Sequence, residues 1–210
     1  MSDGIGWIAR EEIAWAGYCI TLARGLEPGE LVTRLARDTA PAPLGACTGY
    51  DLNTQLVDRE RALHRSDSIA VRYGAVGDLA FAVADGYWPG EMNTGPLLAG
   101  SKGGAHVFRL YHESQNPKLP PPEFTYFHDG DYMCGFDMHM HARSHEITGS
   151  RPDLVSGALQ AGGVPDEDRQ DVAHTKSLAV VEELFQLTLP KELVLHGKLP
   201  AALIRGQESA

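Results

Sequence analysis

The sequence predicts an α+β domain: a mainly antiparallel sheet of five or six strands, packed by N- and C-terminal helices. Three observations carry this. Period-two strand patterning concentrates between residues 67 and 142, where Gly77-Asp78 and Asp129-Gly130 offer two hairpin turns. Helical spacing returns at 27–65 and again from Ser150 onward. Strands and helices fall in separate runs, which is the α+β signature. The 210 residues suit one domain over 1–210, with an N-terminal strand and helices at 1–66, the antiparallel sheet at 67–142 and C-terminal helices at 150–197.

The elements follow in order. YCITLARGL alternates Tyr18, Ile20 and Leu22 against Cys19, Thr21 and Ala23, and reads as a strand ended by Gly25; a helix running on from Glu11 competes. EPGELVTRLARD places Leu31, Val32 and Leu35 at helical spacing with Pro28 in the first turn. Residues 38–49 are a Pro/Gly/Ala loop, and 51–65 an amphipathic helix through Leu52, Leu56, Val57 and Leu63. SIAVRYGAV and LAFAVA form the first hairpin, a long Gly/Pro loop follows, and HVFRLYH is the next strand. EFTYFH and YMCGFDMHMH form the second hairpin. SRPDLVSGALQ starts a helix, with Ser150 as its cap and Pro152 in its first turn. DEDRQDVAHTKSLAVVEELFQL is the longest helix, buried through Val172, Leu178, Val181, Leu184 and Phe185, and LPKELVLHG is a short last one.

Composition narrows the function classes. Hydrophobic residues at 43% supply a core. The formal charge of −10 with no basic run disfavours nucleic-acid partners. No apolar run approaches the roughly 20 residues that cross a bilayer, and MSDGIGWIAREE lacks the features of a secretory signal. A cytoplasmic protein that uses no membrane is expected, with a small-molecule ligand as partner and a homodimer compatible with the chain. Cys19, Cys47 and Cys134 form no metal or disulfide pattern; Cys47, in a loop, is the thiol expected to be accessible.

Other motifs are weaker. GPLLAGSKGG resembles a phosphate loop, but Gly100-Ser101-Lys102 has the wrong order and leads into a strand, so a Gly-rich turn is the better account. Trp88 and Tyr87 in the long loop are a ligand contact or a ring packed back on the sheet. No GxSxG elbow exists.

Three stretches then carry a resemblance. YCITLARGLEPGELVTRLA, VRYGAVGDLAFAVADGYWPG, and GSRPDLVSGALQAGG with LAVVEELFQLTLPKELV resemble the DUF6461 family, an uncharacterised actinobacterial family, over most of the chain and in the same order. These motifs specify fold; the resemblance implies no activity and no catalytic residues. Where it implies a Phe-Glu-Pro-like stretch after the last strand of the sheet, this chain has Phe136-Asp137-Met138-His139-Met140-His141.

That histidine strand is the candidate site. Alternation puts Asp137, His139 and His141 on one face, and Tyr132, Cys134, Phe136, Met138 and Met140 on the other as a core stripe. A two-residue Asp129-Gly130 turn sets Tyr126 opposite Met133 and Phe124 opposite Gly135, so Phe124 and Tyr126 become an apolar floor beside the histidines, with Trp88 a further substrate contact. A bulged loop would shift this pairing. Three readings stay open. In the first, a small-molecule enzyme of specialised, natural-product metabolism uses Asp137 to orient His139 and His141 as acid or base, for isomerisation, cyclisation or elimination. In the second, His139 and His141, about 6.5–7 Å apart along a strand, bind a divalent metal. Their third ligand would be His145, Glu146, His106 or His112, whether for metal-assisted catalysis or in a binding module without catalysis. In the third, the histidines face water in a non-catalytic interaction or immunity-type protein whose acidic surface meets a basic partner.

Overall fold

The structure, a computed structural model, describes residues 3–10, 13, 17–36, 40–63, 68–86, 94–112, 122–139, 146–164 and 170–205. Its strands are β1 (Tyr18–Arg24), β2 (Ala42–Cys47), β3 (Ile69–Val76), β4 (Leu79–Gly86), β5 (His106–His112), β6 (Glu123–His128), β7 (Asp131–Asp137) and β8 (Leu199–Arg205). They form one open sheet in the order β2-β8-β3-β4-β1-β5-β6-β7, with every paired neighbour antiparallel. The α+β class and the antiparallel pairing hold. The strand number does not: among the described residues there are eight, not five or six.

The two additional strands lack the usual signals for different reasons. β2 (APLGAC) carries Pro43 and Gly45, which suit an edge strand, and its pairing with β8 is irregular between those two residues. β8 (LPAALIR) sits inside the sheet and is buried on both faces from Ala201 to Ile204, so it shows no polar alternation. The sheet thus extends past 67–142 to take in β1, β2 and β8.

Helices cover both faces. α1 (Pro28–Leu35) and α3 (Thr94–Gly100) pack through Leu31, Val32, Leu35 and Leu97 on the face carrying Cys19, Ala23, Val71, Ala80 and Val107. The opposite face meets α2 (Gly49–Leu63) at its β2–β8–β3 side, through Leu52 and Leu56. Toward β7, that same face is roofed by a 3-10 helix (Gly6–Arg10), α4 (Asp153–Ala161), α5 (Gln170–Phe185) and α6 (Lys191–Leu195). Its buried residues include Ile8, Ile20, Leu22, Phe81, Phe108, Leu110, Phe124, Phe136, Leu178 and Val181. We call it the C-terminal face.

Both hairpin turns form as the sequence predicts. Val76 pairs with Leu79 across Gly77-Asp78, and His128 with Asp131 across Asp129-Gly130, where both central residues have positive φ (48° and 85°). The second hairpin then departs from expectation. A bulge shifts the register after Phe127↔Tyr132, so Tyr126 pairs with Cys134, Thr125 with Gly135 and Phe124 with Phe136. Met133 is the extra residue. Tyr132 packs on the α1/α3 face, while Cys134, Phe136 and Met138 turn to the C-terminal face. GPLLAG forms most of α3, and Gly103 and Gly104 form the turn into β5, their amides donating to Asp129 Oδ1 at 2.9 Å each. Those hydrogen bonds hold the Asp129 carboxyl below its ordinary range. Ser150 does not cap α4; its hydroxyl donates to Tyr132 O at 3.0 Å.

Candidate functional site

β7 ends at Asp137, so the alternation that would place Asp137, His139 and His141 on one face stops before the histidines. Asp137 Oδ1 accepts the His139 backbone N–H at 2.7 Å, closing a tight turn over Met138 and His139. The carboxylate that was expected to orient the His139 imidazole therefore holds its backbone. Ser177 on α5 donates to Met138 O at 2.9 Å and ties the turn beneath the helix, and Met138 is fully buried in the C-terminal core.

The turn sends His139 inward under α5, to two histidines from distant parts of the chain. The His139 ring lies 5.6 Å from His174 on α5 and 6.2 Å from His112 at the end of β5, centroid to centroid. His112 and His174 are 6.1 Å apart. Tyr18 completes the group. It is the cross-strand partner of His112, its ring is 5.7 Å from that imidazole, and its Oη is 2.7 Å from His174 Nε2. The next row of the sheet, Ile20–Leu110–Phe124–Phe136, forms an apolar floor. Phe124 thus neighbours the histidines as expected, although through the bulged register.

Tyr18 and His174 are buried, at 1% and 5% exposure; His112 and His139 are half-buried. Burial pushes the Tyr18 phenol well up. Burial first, then the neighbouring His139 and His112, pushes His174 down to about 3. Burial and then His139 lower His112 as well. His174 and His112 are therefore neutral imidazoles near neutral pH, each with one nitrogen able to accept a proton. The Tyr18–His174 hydrogen bond works in both tautomers: the phenol donates to Nε2 of one, and accepts Nε2–H of the other. His112 Nδ1 is buried with no hydrogen-bond partner.

The other expected site residues fall elsewhere. Tyr126 lies one sheet row beyond Phe124, and its hydroxyl is 2.7 Å from His106 Nδ1. His106 stacks on His128 at 4.0 Å, at the end of β5 opposite to His112. Tyr126 and His106 thus belong to a second histidine group, away from His139. His141, His145 and Trp88 lie outside the described residues. Cys47, expected to be accessible, is buried under α2 with Leu52 and Leu56. Among the described residues, no three His, Cys, Asp or Glu side chains have donor atoms placed to hold a metal ion. A groove of about 520 Å³ on the outer side of α4 and α5, lined by Ala158, Ala161, Gly162, Val180, Glu183 and Leu184, shares no residue with the histidine group.

His174 was missed in the sequence, although a signal was there. It falls four and seven residues before Leu178 and Val181, on the buried stripe of α5. An imidazole on such a stripe has to be satisfied by the core or used by it.

A family model described as a family of unknown function, DUF6461, matches residues 3–206. The chain belongs to the DUF6461 family. No curated protein and no solved structure matches it. Among the described residues of this DUF6461 protein, no helix is long and apolar enough to cross a membrane.

Proposed function

We propose that this DUF6461 protein is a small-molecule enzyme that moves protons, in an isomerisation, cyclisation or elimination, through Tyr18, His112, His139 and His174. The single supporting observation is the Tyr18–His174 hydrogen bond of 2.7 Å set against two further imidazoles. A stability-driven core would favour apolar side chains at these positions, since each buried imidazole costs desolvation. Titratable groups displaced from their ordinary range and gathered in one place mark sites of chemistry. In this reading His112 and His139, the more accessible pair, are base and acid toward the substrate. His174 and Tyr18 hold the tautomer and pass the proton inward. Phe124 and its row exclude water beneath them. Asp137 acts through the backbone it fixes.

The test is solvent exchange. Candidate substrates with an acidic C–H, chosen from the products of neighbouring genes, are incubated with the protein in D2O and deuterium incorporation is followed by mass spectrometry. Exchange should fall about 100-fold or more in H112A and H139A, the usual range for loss of a positioned acid or base. Exchange unchanged in both variants would remove the proposal.

A second reading, a non-catalytic interaction protein, draws on the formal charge of −10 and on the apolar groove beside the 42%-exposed Leu184. It predicts that L184D abolishes partner capture while leaving deuterium exchange intact.

A further inference from the structure

We infer that His106 and His128 form a single-proton switch, in which one proton taken up by His128 tightens a clasp between the α3–β5 turn and the β6–β7 turn. Four backbone amides supply most of the clasp. Asp129 Oδ1 accepts those of Gly103 and Gly104 at 2.9 Å each. Ala105 O accepts the Asp129 amide at 3.3 Å, and Ser101 Oγ accepts the Gly130 amide at 2.9 Å. His128 adds a further bond, from Nδ1 to Ala105 O at 3.3 Å. A carbonyl oxygen can only accept, so Nδ1 carries the hydrogen, and Nε2 of the neutral ring is the atom that takes up a proton.

The surroundings decide how many protons the pair holds and where. The two half-buried rings lie nearly parallel, their planes 13° apart and their centroids 4.0 Å apart. Two positive charges at that separation repel strongly, so the pair holds one. His106 is the poorer host. It is the cross-strand partner of Arg24. Burial first, then His128 and Arg24, hold it below its ordinary range. Its Nδ1 is engaged by Tyr126 Oη at 2.7 Å. His128 has acids beside it instead: Asp131 is its cross-strand partner, and Asp129, next in the chain, feels its charge. The corner also holds Asp78, which binds Arg24 Nε at 2.6 Å, and Lys102, whose stem runs along Gly130. From α5 comes Phe185, an uncharged ring 5.1 Å from that of Tyr126.

Protonation of His128 tightens the clasp by two routes. The Nδ1–H bond to Ala105 O becomes charge-assisted. The imidazolium also attracts the Asp129 carboxylate, the acceptor of both glycine amides, which stays ionised through mild acid because those amides hold it low. By linkage, a proton that binds more tightly when the turns are clasped stabilises the clasp as pH falls. At the opposite end of β5 the response is reversed. Burial disfavours charge on His112 and His174, so acid loosens that group. The two ends of one strand thus answer acid in opposite senses.

The experiment uses the full chain and follows amide hydrogen exchange by NMR, each rate divided by its intrinsic rate at the same pH. Between about pH 8 and about pH 5.5, protection of the Gly103 and Gly104 amides should rise about two- to five-fold, the worth of a partly exposed charge pair. Over the same range the imidazole nitrogen shifts should show His128 gaining the proton and His106 staying neutral. His128→Phe keeps a ring against His106 and has nothing to protonate, so its protection should not change with pH. Asp129→Asn keeps an oxygen for the two amides, tolerates the left-handed backbone at this position (φ 48°) and carries no charge, so the rise should shrink. Protection that stays flat or falls with acid in the wild type, an equal rise in either variant, or a first proton on His106 overturns the inference.

Discussion

At the scale of single residues, His174 dominates. Its folded-state pKa is about 3 against an ordinary 6.5, so between those values the unfolded chain binds the additional proton. The neutral cluster therefore contributes its full stability above pH 6.5, and that contribution is lost as pH falls toward 3. The expected loss for His174 alone is about 2 kcal/mol at pH 5 relative to pH 7.5, with His112 adding in the same direction. Urea unfolding at the two pH values measures it, and H174Q should flatten the difference. Tyr18 and His174 were individually visible in the sequence as a strand residue and a helix residue. Nothing local tells that they touch, because 156 positions separate them.

At the scale of elements, the β7 end decides the site. The Met133 bulge moves Cys134 and Phe136 to the C-terminal face, and the Asp137 turn then carries His139 there too. Period-two reading kept Cys134 and Phe136 in the core but set them on the face opposite Phe124 and Tyr126, because it had no residue inserted at Met133. Ser177 is the link between this turn and α5. Ser177→Ala should cost about 1 kcal/mol, the net worth of one buried hydrogen bond, read by urea titration. Hydrogen exchange at the Met138 and His139 amides should rise more than elsewhere in the chain. Equal protection in the variant would show that the turn does not depend on Ser177, Asp137 and the Met138 N–H bond to Pro122 O being enough. The Asp129-Gly130 and Gly77-Asp78 turns were legible because the required left-handed backbone is encoded in the turn residues themselves.

At the scale of the molecule, the last described strand sits inside the sheet. β8 lies between β2 and β3, pairing with both, although it comes last among the described elements. It buries Leu199, Ala201, Ala202, Leu203 and Ile204. Truncation after Lys198 should detach β2 and α2 and abolish cooperative thermal unfolding, followed by circular dichroism. A truncated chain that melts in one sharp transition near the full-length temperature would show β8 to be dispensable. The other end of the chain is clasped by Glu182 of α5, whose Oε2 accepts the amides of Ile5 at 2.6 Å and Gly6 at 3.0 Å. The first and last described segments are thus each fastened to elements far from them in the sequence, through contacts that no local pattern announces.

What the sequence by itself determined was local: six of the eight strands, five helices, both hairpin turns and the α+β class, because alternation, helical spacing and turn chemistry are written in adjacent residues. It also marked His139 as the residue to follow. The tertiary structure alone decided which face that imidazole joins, that its neighbours are His112, His174 and Tyr18, and that Asp137 serves a backbone amide. The physical reason is register. A strand's face depends on every residue before it in the pairing, and a cluster drawn from β1, β5, α5 and a turn exists only after each has found its long-range partner.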